Sequence, residues 1–321
     1  MQKVILDVDT GTDDAIAMMT ALLSPELEVL GVCSVNGNRG IDFTTENTLR
    51  VVEYLGLQDR VPVYRGCSLP MVSTLAPGRR PNVPYKGPEN PEDNVHGDYI
   101  ELPAATIRPQ PEHAVFWLID TLMKSDGDII LIPVGPLTNI AMALRIEPRI
   151  AQKIQRIVLM GGGYREVNIT PSAEFNFWID PEAAKIVFDS GCDITVVPLD
   201  ATHAAAVSVE DAEKLRAKGT KAGRLTADIV AQRHRAYKHW QPMADMNTVP
   251  VHDALAVCAV LDERVLRDVR ETWADVDISG GAADGMSIFD LDRRDKSKKP
   301  NVKVALGADK ALFTEMLLKI L

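Results

Sequence analysis

Short apolar runs recur along the chain, each closed by glycine, proline or polar residues, and longer stretches with helical spacing lie between them. The runs predict strands at VILDV (4–8), EVLGVCSV (28–35), VPVYRG (61–66), DIILIPV (128–134), IQRIVLMGG (154–162) and DITVVPLD (193–200). They are brief and mostly apolar on consecutive positions, as strands covered on both faces are. Helices are predicted over 13–23, 42–56, 111–124, 137–146, 181–190, 208–217 and 221–239. Strand alternating with helix predicts an α/β fold: a single open, mainly parallel sheet with helices on both faces, Rossmann-like, in one domain spanning 1–321. No internal repeat interrupts it. A site in such a fold belongs beyond the carboxyl ends of the strands.

Two stretches depart from the alternation. APGRRPNVPYKGPENPEDN (76–94) is dense in Pro, Gly and Asn and reads as a long loop. RHRAYKHWQPMADMNTVPVHD (233–253) carries aromatics and ends in His252-Asp253, just before the apolar helix ALAVCAVL. Long loops in a compact domain are often lids, so both are expected to close over a site.

Composition narrows the partners. The chain has 321 residues, 46% hydrophobic and 25% charged, enough for a substantial core. Its net charge is −10, and its densest basic stretch, RRDKSKKP (293–300), is short and adjoins acids. Nucleic acid and anionic membranes are thereby excluded as main partners. No run approaches the roughly 20 apolar residues of a membrane span, and no secretion signal is expected, since the start has no basic segment followed by a long apolar one. Cys33, Cys67, Cys192 and Cys258 lack zinc-ligand spacing, and most sit in apolar surroundings. Reduced thiols and a cytoplasmic location are expected.

The chemistry concentrates in DVDTGTDD (7–14). Asp7 and Asp9, two apart on a strand, would project together. Gly11 permits a turn, and Asp13 and Asp14 fall in the first turn of the following helix. A lone Asp there would be a cap or a partner for the helix dipole. Four so close raise one another's pKa unless a positive charge intervenes, and a helix end supplies only about half a charge. A divalent cation answers this, and oxygen ligands favour Ca²⁺ or Mg²⁺. An EF-hand loop does not fit, because its fifth and twelfth positions would be Gly11 and Met18. Phosphatases of the haloacid dehalogenase type also carry DxD after the first strand, which would make Asp7 a nucleophile. They place Thr or Val where this chain has Gly11. Gly161–Gly163 lack the GK[ST] that a phosphate loop requires, and they are expected to let backbone approach a ligand closely.

DVDTGTDDAIAM closely resembles the N-terminal signature of the nucleoside hydrolases, the inosine–uridine preferring family. PVGPLTNIAMAL (133–144), MGGGYREVNITPSAEFNFWIDPEAA (160–184) and VPVHDALAV (249–257) agree with it in order and spacing. The resemblance implies a nucleoside hydrolase fold and Ca²⁺-dependent cleavage of the N-glycosidic bond of ribonucleosides, giving ribose and free base through an oxocarbenium-like transition state. It implies Asp9, Asp14, the Val134 carbonyl and Asp253 as metal ligands, with Asp9 the general base toward water held by the cation. Asp13, Asn38, Asn168, Glu174 and Asn176 would grip the ribose, while Asp7 orients the turn. His252 would serve the leaving base, with His96, Tyr237 and Trp240 beside it. After His96 the family's usual Gly- and Asp-containing continuation is replaced by DYIELP. Family members are commonly homodimers or homotetramers. The rival readings are a phosphatase acting through Asp7 and a non-catalytic nucleoside- or ribose-binding protein that retains the pocket.

Overall fold

A computed structural model describes residues 1–76, 78–79, 94–241 and 243–321, with the side chains of 239 and 240 left out. Most of the expected 76–94 loop lies outside the described residues, and so does the side chain of Trp240.

The chain begins with β1 (Gln2–Val8), α1 (Thr12–Leu23), β2 (Leu27–Ser34), α2 (Ile41–Leu55) and β3 (Val63–Arg65). There follow α3 (Ala114–Lys124), β4 (Ile129–Pro133), α4 (Thr138–Ile146), β5 (Ile154–Met160), α5 (Phe175–Ile179), α6 (Pro181–Phe188) and β6 (Ile194–Val197). The last third holds α7 (Leu199–Ala204), β7 (Val207–Ser208), α8 (Val209–Ala217), α9 (Lys221–Trp240), β8 (Thr248–Val249) and α10 (His252–Leu261). It closes with β9 (Leu266–Thr272), β10 (Ala274–Val276), β11 (Ser287–Phe289), β12 (Val302–Ala308) and α11 (Lys310–Ile320).

Eight strands form one sheet in the order β3-β2-β1-β4-β5-β6-β12-β9. The pairs are parallel except that β9 runs antiparallel to β12. Alternate residues of β1 feed opposite cores, Val4, Leu6 and Val8 on one face and Ile5 on the other. That is why the strand reads as an unbroken apolar run. Strand order reverses between β1 and β4, so the chain leaves these two neighbours in opposite directions and opens a crevice at their carboxyl ends.

Two helices stand at that crevice. Every residue of α1 from Thr12 to Ala21 is buried, and so is every residue of α10 from His252 to Val260. Helices apolar all round are interior elements, and these two pack together with their first turns at the strand ends.

The structure departs from the sequence reading at several points, and most of all in the last part of the chain, where β10, β11, β12 and α11 were not predicted. The strand expected over 193–200 stops at Val197, because Pro198 offers no N–H to a ladder and leads into α7. The helix predicted over 221–239 is present as α9, which runs to Trp240 and takes the first part of the 233–253 stretch, so Tyr237 lies on a helix and not in a loop. β9 was not anticipated: LRDVRET is an edge strand with a mostly exposed, charged middle, and only its end residues are buried. All four cysteines are free. Among the described residues, no helix is long and apolar enough to cross a membrane.

Candidate active site

A cavity opens at the β1/β4 crevice, lined by Asp9, Asp13, Asn38, Val95, His96, Val134, Met160, Asn168, Phe175, Asn176, Arg233, Tyr237, Gln241, His252 and Asp253. Residues from the start, middle and end of the sequence thus share one space.

Its floor is acidic. Oxygens of Asp13, Asp14 and Asp253 lie within 4.8 Å of one another, and all three residues are buried. Asp9 joins through Asp14, whose Oδ1 accepts the Asp9 backbone N–H at 3.1 Å. Asp14 Oδ2 also accepts from the Gly11 N–H at 2.9 Å, closing the first turn of α1. Asp14 therefore caps its helix and belongs to the cluster at once. The positive ends of α1 and α10 both face this cluster, which carries more negative charge than two half-dipoles offset.

Burial is the leading perturbation at each acid. It pushes Asp9 and Asp253 well above the ordinary carboxylate range, and neighbouring carboxylates add to the effect. Asp14 rises to about 7 from burial and the Asp13 charge. Asp13 goes the other way: burial opposes its ionisation, but the Arg233 guanidinium, together with His96, His252 and a backbone N–H, holds it below the usual value. Arg233 Nη1 stands 2.9 Å from Asp13 Oδ1.

Asp7 is placed apart. The strand ends at Val8, so alternation no longer aligns Asp9 with Asp7. Asp7 accepts from Asn139 Nδ2 at 2.8 Å and does not line the cavity. Its backbone carbonyl takes the Val134 N–H at 2.8 Å and so fixes the end of β4. A nucleophile has to reach its substrate, and Asp7, buried behind Asn139 and outside the cavity lining, has no access to one.

Four polar side chains surround the acids. The Asn38 backbone N–H donates to Asp9 Oδ2 at 2.7 Å, and its Nδ2 reaches Asp14 Oδ2 at 3.3 Å. Asn176 Nδ2 donates to the Val134 carbonyl at 2.8 Å and to the Met160 carbonyl at 3.2 Å. Asn168 Oδ1 accepts the Phe175 N–H at 2.9 Å. Glu174 is buried as the cap of α5: Oε1 accepts from Asn176 N–H, and Oε2 from the Gly162 and Phe177 N–H groups. It holds Asn176 in place without itself lining the cavity, and burial raises its pKa to about 7. The close backbone approach at Gly161 and Gly162 is to the Phe177 ring, where a Cβ would collide, and not to the cavity.

The histidines are fixed by their partners. His96 Nδ1 accepts the Thr12 N–H at 3.2 Å, and burial lowers its pKa to about 4, leaving a neutral ring. His252 is bonded at both nitrogens, Nδ1 to Thr202 Oγ1 at 2.7 Å and Nε2 to the Tyr237 hydroxyl at 2.8 Å. The Thr202 hydroxyl also donates to the Leu199 carbonyl at 3.2 Å, so it accepts from His252 Nδ1–H. That assignment leaves Nε2 as acceptor of the Tyr237 O–H. Arg233 Nη2 in turn donates to the Tyr237 oxygen at 3.4 Å. Burial keeps both partners neutral, lowering His252 well below its ordinary value and raising Tyr237 to about 12.

Asp9, Asp13, Asn38, His96, Asn168, Asn176, Tyr237, His252, Asp253 and the Val134 residue thus share one cavity, with Asp14 beneath it. Sequence reasoning missed Arg233, Thr202, Phe175 and Gln241. An arginine on a helix reads as surface, and its burial is explained by partners distant in sequence, Asp13 first among them. Phe175 did lie inside a matched stretch, beside Glu174 and Asn176.

Comparison with known proteins agrees with this geometry along the whole chain. Residues 4–315 match the family described as inosine-uridine preferring nucleoside hydrolase. The pyrimidine-specific ribonucleoside hydrolase RihB of Escherichia coli O9:H4 (strain HS) is 38% identical over 316 residues, 97% of this chain and 94% of that protein. Among solved structures, a purine-preferring ribonucleoside hydrolase from Gardnerella vaginalis superposes with a TM-score of 0.85 at 31% identity, covering 99% of this chain and 97% of the other. A plant nucleoside hydrolase gives 0.86 at 28% identity, covering 99% and 98%. The chain belongs to the inosine-uridine preferring nucleoside hydrolase family, and the enzyme it encodes is a ribonucleoside hydrolase.

Proposed function

We propose that this enzyme hydrolyses the N-glycosidic bond of ribonucleosides in a Ca²⁺-dependent reaction, with pyrimidine nucleosides preferred. The observation that carries the reading is one cavity holding both a buried carboxylate cluster and a hydroxyl–imidazole pair. The preference for pyrimidines follows the named specificity of the 38% identical relative.

The donor set fits a hard cation. Asp9, Asp14, Asp253 and the Val134 carbonyl offer oxygen only, and the buried carboxylates outnumber the one guanidinium paired with them. Asp13, already paired with Arg233, is the poorer ligand and the better anchor for a ribose hydroxyl. A divalent cation bound there would supply Lewis acidity and lower the pKa of water.

The residues do the rest. Asp9, steadied by the Asn38 N–H, takes the proton from the attacking water. Asp13, Asn38, Asn168 and Asn176 orient the sugar, with Glu174 acting through the turn it caps. As the bond breaks, positive charge grows on the ribose, and the ionised Asp13 stabilises it. With His252 neutral, the Tyr237 hydroxyl turns its hydrogen from His252 Nε2 toward the departing base and so meets the base's developing negative charge, and His96 borders the same space. Trp240 is proposed as a further contact to the base. Residues 1–321 would act as one catalytic domain, assembled as a homodimer or homotetramer in the cytoplasm.

Ribose release from uridine, cytidine and inosine, with and without a chelator, tests this directly. The expected result is release from the pyrimidine nucleosides first, abolished by chelation and restored by Ca²⁺. Undiminished release after exhaustive chelation would remove the metal from the reaction.

A further inference from the structure

We propose that Arg233 is a positioning residue, one side chain that ties the sugar-facing carboxylate of Asp13 to the base-facing hydroxyl of Tyr237. This rests on the ribonucleoside hydrolase reading above and adds to it a group that sets the two sides of the glycosidic bond relative to each other.

Arg233 is 1% exposed, and it is among the largest fully buried side chains of the described residues. Its buried neighbours on α9, Ile229, Val230 and Ala236, are apolar, so packing the helix requires no charge. A buried guanidinium is costly to desolvate, and an apolar residue of similar volume generally serves a core as well or better. What Arg233 does instead is spend its donors on three separate segments. Nη1 reaches Asp13 Oδ1 and Thr12 Oγ1, both at 2.9 Å, at the start of α1. Nε donates to the Pro250 carbonyl at 3.0 Å, two residues before His252. Nη2 donates to the Tyr237 hydroxyl oxygen at 3.4 Å, one turn further along its own helix.

Geometry makes the last contact directional. With its oxygen held by Arg233, the Tyr237 hydroxyl rests its hydrogen on His252 Nε2 and has only to rotate about its C–O bond to present it to the base. Only a planar fork can hold Asp13 with one nitrogen and Tyr237 with another. A lysine at this position would keep a single-point pair with Asp13 and lose the hold on Tyr237. The sugar would stay seated while the leaving-group side drifts.

The test compares two substrates that differ in need. Uridine has a poor leaving group that depends on the Tyr237–His252 pair, whereas p-nitrophenyl riboside releases a stable anion without such help. For R233K, kcat/KM on uridine should fall about 10- to 100-fold, the scale of a small misplacement of a catalytic group. On p-nitrophenyl riboside it should fall less than about threefold. R233Q, which loses the charge beside Asp13, should lose both substrates, with uridine still the more affected. Thermal unfolding checks each variant, and the two lengths keep the test open if one fails to fold. An unchanged ratio between substrates in both variants, with the wild type active, overturns this inference alone and leaves Arg233 a structural ion pair. A wild type that releases ribose from neither substrate overturns the hydrolase reading as well.

Discussion

Four aspartates within eight residues have four different surroundings, and that difference assigns their work. Asp7 is bonded to Asn139 away from the cavity, Asp14 closes a helix turn, Asp13 faces a guanidinium, and Asp9 faces the cavity with one oxygen held by a backbone N–H. Asp9→Ala is expected to cost roughly 10²- to 10⁴-fold in kcat, the usual worth of a general base. His252→Ala should lower kcat unequally across bases, most for the nucleoside whose base leaves least readily. Steady-state kinetics on uridine, cytidine and inosine reads both, and a uniform loss across bases would contradict the role given to His252. The cluster was legible in the sequence because its members adjoin one another and obey simple rules of turn and charge. Arg233 and Thr202 were not, since what makes them matter is a contact across more than two hundred residues in one case and fifty in the other.

At the level of elements, the strands that were legible are those buried on both faces, whose apolar runs carry no competing pattern. β9 escaped because an exposed edge needs charges that discourage pairing with another chain, and those charges erase the strand signal. The 233–253 stretch misled in another way, since helix, turn and a short strand succeed one another within it, each too brief to set a period of its own. The turn after β2 shows how tightly elements are matched to the site. Gly37 packs so closely on the Asp9 carboxylate that a Cβ there would collide with it. Gly37→Ala should therefore displace Asp9 and lower kcat about 100-fold, while the sheet, whose strands end before this turn, keeps its unfolding temperature within a few degrees. Activity and calorimetry together decide it: a large drop in melting temperature with kcat preserved would mean that the turn serves the fold and not Asp9.

For the whole molecule, the buried acids make stability depend on pH in an unusual sense. Asp7, Asp14 and Glu174 have folded pKa values raised to about 7, above the ordinary carboxylate value near 4 that applies when unfolded. Their contribution is thus fully present below about pH 4 and is lost as pH rises through 7. Protein stripped of metal should melt at a higher temperature at pH 5.5 than at pH 8. Calcium at the proposed site should oppose the trend, because there it would compete with protons for the Asp14 carboxylate, and at a hundredfold excess over its Kd it adds about 2.7 kcal/mol. Scanning calorimetry with and without chelator tests this, and a melting temperature that climbs from pH 5.5 to 8 in the stripped protein would refute it. The distance in sequence between Asp14 and Asp253 has a further consequence, for the order of events during synthesis. On the ribosome, most of the sheet can be assembled before Asp253 and its helix leave the exit tunnel. Until then Asp14 lacks the carboxylate that faces it across the crevice, so capture of an ion would come late and mark the moment at which the nascent enzyme becomes competent.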